Sequence, residues 1–416
     1  MMYSFGLSIY QFLIALSAST GNEKAKQWIQ GRKNQQNALQ SLQAKKGRRI
    51  WIHCSSLGEF EQGRPLIESI REHHHSAEII LSFFSPSGYE IRKNYPVVDH
   101  VFYLPMDGSR SSAKFLDHIQ PDIVFFIKYE YWHFYLNELS KRKVPVYVAS
   151  AIFRPGQIFF SWYGGFFRNM LRNVTHFFVQ DEDSMRLLSS IGLTNVTITG
   201  DTRFDRVEKI ADQKQRLPQI EQFARNHHVF VCGSTWPADE TLILSGMKEL
   251  FSLSVRLIIV PHEVSKEHLS SIEQSLLQLF PDIKSCFLSN ADSTNLEVTE
   301  VIIVDSIGLL SSLYRYAHVA YIGGGFGKGI HNILEAAAYG IPVIIGPKFE
   351  KFKEARDLVN LNAAFPVNDK RSFLLSSLKC FKEEQFRIEC GNAALNYIKK
   401  ETGATFRILE KVPELN

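Results

Sequence analysis

Short runs of β-branched and aromatic residues that are apolar on both faces recur along this chain, in two series. The first series is Ile50–Cys54, Glu78–Phe84, Ile123–Ile127, Val144–Ala149 and Phe177–Gln180. The second is Val229–Cys232, Leu257–Val260, Val301–Val304, Val319–Ile322 and Pro342–Ile345. A sheet with one wet face alternates apolar and polar residues, so runs without alternation require a sheet covered on both sides, as parallel strands with helical crossovers are. Stretches of helical character separate the runs. The pattern therefore predicts an α/β chain with two Rossmann-like, doubly wound domains. Between the series lies 213–228, polar and interrupted by Pro218, which reads as a linker.

The expected organisation is an apolar helix over 1–22, a first domain over 23–212, the linker 213–228, a second domain over 229–382, and a C-terminal helical segment over 383–416 that can pack back on the first domain. Ligands of open α/β sheets sit beyond the carboxyl ends of the strands, so two such domains facing across a cleft would place a site there. A chain of 416 residues with 45% hydrophobic and 22% charged residues has room for this, and that balance excludes a disordered, collagenous or polytopic membrane chain. The net charge of +4 is low for a nucleic-acid binder, and no nucleic-acid partner is expected. Five cysteines without a C-x-x-C pair indicate neither a disulfide framework nor a zinc knuckle and suit a reducing compartment.

The segment 1–22 carries no charge and holds Phe5, Leu7, Ile9, Tyr10, Phe12, Leu13, Ile14 and Leu16, diluted by Ser4, Ser8, Gln11 and Ser17. A span needs about 20 apolar residues, so a single span competes with a helix lying in the headgroup region. Lys24, Lys26, Arg32, Lys33, Lys45, Lys46, Arg48 and Arg49 follow, against the lone acid Glu23. A basic cluster beside an apolar helix favours the anionic cytoplasmic leaflet, which predicts a membrane-anchored chain with its remainder in the cytoplasm. The bland alternative is a buried terminal helix and a solvated basic linker.

The sharpest local signal runs from Tyr321 to Pro347, where a strand leads into G-G-G-F-G-K-G at 323–329 and then H-N-I-L-E at 331–335. Glycines let a backbone approach a phosphate closely, and a helix opening near His331 would offer free N–H groups. Asn332 and Glu335 share one helical face, where Glu335 could accept from ribose hydroxyls. The alternative makes the glycines tight turns and Glu335 a capping acid. Ser55-Ser56-Leu57-Gly58-Glu59 follows the first core strand, which makes Glu59 either a general base or an ordinary acidic partner of a helix N-terminus. Arg203 in G-D-T-R-F-D can offset phosphate charge, and Ser234 and Thr235 in C-G-S-T-W-P offer hydroxyls and N–H groups. His73–His75 read as a helix terminus, and no H-E-x-x-H, Walker loop or G-x-S-x-G elbow is present, so neither metal, cofactor nor serine nucleophile is implied.

Taken in order, these pieces resemble the Kdo (3-deoxy-D-manno-octulosonic acid) transferases of lipid A and lipopolysaccharide assembly. The carriers are H-C-S-S-L-G-E-F at 53–60, S-P-S-G-Y-E at 85–90, Y-L-P-M-D at 103–107, Y-E-Y-W at 129–132, G-D-T-R-F-D at 200–205, G-S-T-W at 233–236, V-P-H-E at 260–263 and the H-N-I-L-E segment. The resemblance implies a GT-B fold and an inverting transfer of Kdo from a CMP-Kdo donor to a lipid A precursor at the inner membrane, without a metal. It implies Glu59 as catalytic base, Glu130 as a second carboxylate serving the transition state, and Arg203 where the family usually has lysine. It implies donor contacts from Ser234, Thr235, Pro261, His262, Ile307, Gly308, Leu309, Asn332, Ile333, Leu334 and Glu335. Arg48, Arg49 and Arg64 are candidates for meeting the acceptor's phosphates.

Three places depart from the family's pattern: His262 stands at a common arginine, Lys128 at a commonly acidic position, and Ile307-Gly308-Leu309 lacks the acid of the usual M-G-E triplet. Two competing readings keep the fold: a nucleotide-sugar epimerase, which needs no lipid, and a non-catalytic membrane scaffold.

Overall fold

The computed structural model describes residues 2–40, 42, 45, 47–212 and 216–415. Lys46 of the basic run and 213–215 at the start of the expected linker lie outside the described residues. The chain divides into unit 1, Met1–Arg206 with Thr402–Asn416, and unit 2, Val207–Glu401.

Unit 1 contains β1 (Arg49–Cys54), β2 (Glu78–Phe83), β3 (His100–Tyr103), β4 (Ile123–Ile127), β5 (Val146–Ala151), β6 (His176–Val179) and β7 (Val196–Ile198). They form one sheet in the order β3-β2-β1-β4-β5-β6-β7, with every pair parallel. Residues of β1, β4 and β5 are buried throughout, because helices cover both faces. One face packs Trp51, Phe126 and Val148 into a core, and the opposite face packs Ile50, Ile52, Phe125 and Tyr147 into another.

Unit 2 repeats the plan with β8 (His228–Thr235), β9 (Val255–Pro261), β10 (Ser285–Phe287), β11 (Val301–Ile303), β12 (Val319–Ile322), β13 (Val343–Ile345) and β14 (Ala364–Pro366). Its order is β10-β11-β9-β8-β12-β13-β14, again all parallel. Two doubly wound parallel-sheet units are what the apolar runs require. Strand order reverses between β1 and β4 in unit 1 and between β8 and β12 in unit 2. These two switch points are where a crevice opens beyond the carboxyl ends of the strands.

The chain leaves unit 1 within the helix Arg203–Asp212 and returns after the helix Glu384–Glu401. The returning segment caps itself on unit 1: the Asp205 carboxylate accepts from Gly403 N at 2.6 Å, Ala404 N at 3.2 Å and Thr405 N at 2.6 Å. Ile408, Val412 and Leu415 then enter the unit 1 core, and Tyr147 Oη donates to Glu414 Oε2 at 2.7 Å.

The expected membrane anchor is corrected. The first helix, α1 (Met2–Ser19), reaches about 27 Å at ~1.5 Å per residue, short of a hydrocarbon core of about 30 Å. Ser4, Ser8, Gln11, Ser17 and Ser19 lower its hydropathy, and no helix among the described residues is long and apolar enough to cross a membrane. Part of its surface is committed to protein. Tyr3 Oη donates to Asp107 Oδ2 at 2.6 Å, and the Tyr10 ring lies 6.1 Å from Phe84 and 6.4 Å from Trp28 of α2 (Glu23–Gln40).

Candidate functional site

In unit 1 the switch point is flanked by the two loops that the sequence singled out. After β1, Ser56 caps α3 (Leu57–His73): its backbone is extended, and its Oγ accepts from Gly58 N at 3.3 Å. The same hydroxyl donates to Glu59 Oε2, so Glu59 is anchored in the first turn where the helix dipole favours a carboxylate. Glu59 is buried, with Lys128 Nζ 4.0 Å from its Oε1. Lys128 holds φ at +73°, a left-handed turn that ends β4 and sends the chain across the crevice to Glu130. Its ammonium lies 4.9 Å over the Tyr129 ring. Burial raises the Tyr129 phenol, and the Glu59 and Glu130 carboxylates raise it further, so this ring meets the acids as a neutral donor.

Glu130 is also buried, and its Oε2 accepts from Trp132 Nε1 at 2.9 Å. His53 of β1 stands 3.6 Å away by its Nε2. The topology thus brings Glu59 and Glu130 to one switch point from the two neighbouring strands β1 and β4, with Ile50 opposite Ile123 and His53 opposite Phe126.

Arg203 comes from beyond β7. Its Nε and Nη2 both meet Asp201 Oδ2, at 2.9 and 2.8 Å, and its N–H donates to Asp201 Oδ1 at 2.9 Å. Burial alone would raise the Asp201 carboxyl, but the Arg203 charge and hydrogen bonds hold it below the usual carboxylate range. Gln62 Nε2 donates to the same carboxylate at 3.1 Å, tying the pair to α3 one turn beyond Glu59. The positive charge expected to offset phosphate is therefore engaged by Asp201. Of the arginines considered for an acceptor's phosphates, Arg49 is buried against Glu78 at 2.7 Å and cannot serve, and Arg64 pairs with Glu68 at 2.7 Å.

In unit 2 the switch point lies between the ends of β8 and β12. Gly323 can only be glycine here: a Cβ would fall 2.2 Å from the Ser234 carbonyl oxygen. Gly324 takes φ +92°, which turns its N–H onto Asp239 Oδ2 at 2.9 Å. Asp239 also accepts from Trp236 N at 3.0 Å and Tyr321 Oη at 2.8 Å, so one carboxylate fixes the glycine loop to the helix Pro237–Phe251. Ser234 sits in the left-handed region at the β8 bulge, and the buried Thr235 Oγ1 donates to Glu240 Oε1 at 2.9 Å.

Pro261 closes β9 in the core, and the exposed His262 donates its N–H to Thr235 O at 2.9 Å. Trp236 Nε1 donates to His331 Nε2 at 2.9 Å, the two rings being 12° from coplanar. His262 stacks on both, 4.9 Å from Trp236 and 4.2 Å from His331. Burial, then the neighbouring His262, lowers the His331 imidazole to about 4, so it is the neutral acceptor that Trp236 requires. His331 N–H is already taken by Gly323 O at 3.0 Å, and the helix that follows is a single turn, Leu334–Ala337.

Asn332 Nδ2 donates to Glu335 Oε1 at 3.0 Å on the expected shared face. Ile333 and Leu334 are core residues, so only their backbone can meet a ligand. Ile307 and Gly308 lie on an exposed loop, with Leu309 at the start of the short helix Leu310–Leu313. Sequence reasoning missed Asp239, Glu240 and His53. The first two carry a readable signal, an acid pair in the first turn after T-W-P; the third depends on strand register and carries none.

Residues 22–206 match the family model described as 3-deoxy-D-manno-octulosonic-acid transferase (kdotransferase). The chain is 28% identical over 331 residues to the 3-deoxy-D-manno-octulosonic acid transferase of Rickettsia bellii, covering 78% of this chain and 77% of that protein. It is 26% identical over 383 residues to the enzyme of the same name from Haemophilus influenzae, covering 87% and 86%. Among solved structures it is similar to a putative UDP-N-acetylglucosamine 2-epimerase from Listeria monocytogenes, with TM-score 0.61 and 11% identity over 87% of this chain and 95% of that one. It is also similar to MurG of Acinetobacter baumannii, with TM-score 0.54 and 9% identity over 88% and 100%. These likenesses establish the GT-B fold. The resemblance to Kdo transferases that the motifs carry is borne out along most of the chain.

Proposed function

We propose that this chain is a glycosyltransferase that moves Kdo from CMP-Kdo to a hydroxyl of a lipid A precursor in lipopolysaccharide assembly. The observation that supports it most is Glu59: a buried carboxylate, fixed by the Ser56 cap, at the switch point of a sheet whose relatives over residues 22–206 are Kdo transferases.

In this reading Glu59 Oε1 takes the proton of the acceptor hydroxyl while the acceptor oxygen bonds the anomeric carbon and the bond to CMP breaks, with inversion. The proton ends on Glu59 and the electron pair leaves with the CMP phosphate. General-base help of this kind contributes about 10² to 10⁴ in rate. Glu130, across the switch point, serves the charge that develops on the sugar. Unit 2 supplies the donor residues: Asn332 and Glu335 toward the ribose, the Trp236–His262–His331 rings as a flat surface for the nucleotide, and the backbone of the glycine loop close to the phosphate.

The test is Glu59→Gln, assayed for lipid product by mass spectrometry and for CMP affinity by calorimetry. Transfer falls by about 10²- to 10⁴-fold with CMP affinity unchanged. A large loss of CMP affinity instead places Glu59 at the donor and refutes its role as base.

A further inference from the structure

Among the described buried side chains of unit 1, His53 has its polar groups half accounted for. The ring is fully enclosed, walled by Phe126 at 5.8 Å, Trp132 at 6.3 Å and Trp51 at 6.4 Å. Its Nδ1 lies 2.9 Å from Ser82 Oγ and 3.1 Å from Ser82 O. Its Nε2 has no hydrogen-bond partner, yet points at Glu130 Oε2 from 3.6 Å. A buried polar nitrogen aimed at a carboxylate and left just outside bonding distance is costly unless the contact closes in another state.

The proton's place follows from the neighbours. Trp51 Nε1 can only donate, and it gives its hydrogen to Ser82 Oγ at 2.8 Å. The Ser82 hydroxyl hydrogen can then point at Nδ1, and because a bare Nε2 lone pair would face the Glu130 carboxylate oxygen, the neutral ring carries its proton on Nε2, toward Glu130. In the imidazolium, Nδ1–H turns to the Ser82 carbonyl and Nε2–H still faces Glu130. Both forms aim a donor at the carboxylate.

We infer that His53 is a positioning residue: its Nε2–H closes onto Glu130 Oε2 during turnover and, with Trp132 Nε1, sets the carboxylate's orientation. Catalytic hydrogen bonds are often long in unliganded sites and tighten when substrate is bound. The chain Trp51–Ser82–His53–Glu130 then links the hydrophobic core of unit 1 to the switch point without His53 touching substrate. The kinetic consequence rests on the glycosyltransfer reading; the tautomer does not.

Two experiments separate them. In the first, ¹⁵N-histidine spectra of the full chain show His53, identified as the signal lost in His53→Gln, with a protonated Nε2 that shifts in Glu130→Gln. An unprotonated Nε2, or one indifferent to Glu130→Gln, overturns the inference whatever the protein's activity. In the second, His53→Leu lowers kcat for transfer by about 10- to 100-fold, the range of one hydrogen bond to a charged group, with KM within about twofold. His53→Gln, whose amide can reach Glu130, recovers part of the loss, and His53→Leu added to Glu130→Gln costs less than about twofold more. Independent, additive losses overturn the inference. A wild-type chain that transfers no Kdo refutes the glycosyltransfer reading and leaves the spectra to judge the tautomer.

Discussion

Asp239 joins the two strands that flank the switch point of unit 2, and its removal has a calculable price. The side chain is 1% exposed and accepts from Tyr321 Oη, Gly324 N and Trp236 N at 2.8, 2.9 and 3.0 Å. Asp239→Ala strands all three donors at once. Each stranded buried donor costs about 1–3 kcal/mol, but water entering the vacated space satisfies some of them and such costs do not add. About 3–5 kcal/mol is the working figure. Asp239→Asn is different, because an amide oxygen in place of Oδ2 still takes both N–H groups, and the Tyr321 hydroxyl can turn to accept from the amide nitrogen. Its cost is about 1–2 kcal/mol. For a unit of this length each kcal/mol moves the melting temperature by about 2–4 °C, so alanine lowers the unit 2 transition by about 6–20 °C and asparagine by about 2–8 °C. Calorimetry gives both shifts. Hydrogen exchange localises them: the peptide around Gly324 loses about 100-fold or more of its protection in the alanine variant, since 1.4 kcal/mol is a factor of ten. If alanine and asparagine variants melt together, or alanine melts within about 2 °C of wild type, Asp239 is not the clamp described here.

Asp205→Ala removes the acceptor for Gly403, Ala404 and Thr405 N–H groups. A lost cap costs about 1–2 kcal/mol, so tryptic cleavage at Arg407 and Lys411 speeds up by about 5- to 30-fold; unchanged cleavage would mean that the returning segment is held by its core residues alone. His331, lowered to about 4 by burial and His262, carries a pH dependence whose sign is fixed. Its unfolded value is near ~6.5, so between there and about 4 the unfolded chain binds a proton that the folded ring refuses. Stability therefore falls as pH drops through that window. The melting temperature of His331→Phe should lose less than wild type on going from neutral pH to the foot of the window, and parallel losses would remove His331 as the cause.

The strands legible in the sequence and those that were not differ in one physical respect. Runs apolar on both faces exposed β1, β2, β4, β5 and β6, and likewise β8, β9, β11, β12 and β13. The four that escaped, β3, β7, β10 and β14, are the edges of the two sheets. An edge strand has one neighbour and is covered less completely, so it needs no continuous apolar run. Val196–Ile198 leaves Ile198 37% exposed, and Ala364–Pro366 is only three residues long and exposes its last residue. The N-terminal helix misled for a related reason. Tyr10 reads as apolar in the sequence, but it and Tyr3 each have a partner far along the chain, Phe84 and Asp107, that no local pattern announces.

The candidate residues were legible to the extent that they follow strands directly. Glu59 after β1 and Glu130 after β4 stand at strand ends, and their meeting follows once the strand order is known. The roles of Asp239 and His53 depend on contacts across the sheet, with Tyr321 and Gly324 in one case and Ser82 and Glu130 in the other. Such contacts are set by register, which a sequence specifies only through its fold. Lys128 and His262, which depart from the resembled family, are both placed at the sites: one ammonium 4.0 Å from Glu59, one imidazole stacked on His331.

Kdo transfer itself is measured by incubating the purified chain with CMP-Kdo, generated in place, and a tetraacylated lipid A precursor, and weighing the lipid products by mass spectrometry beside a Glu59→Gln control. Wild type is expected to yield product heavier by one or more Kdo units, and the variant almost none. Release of CMP with no change in lipid mass would rule out this acceptor, and neither release nor transfer, under conditions where an established Kdo transferase works, would rule out Kdo transfer by this chain.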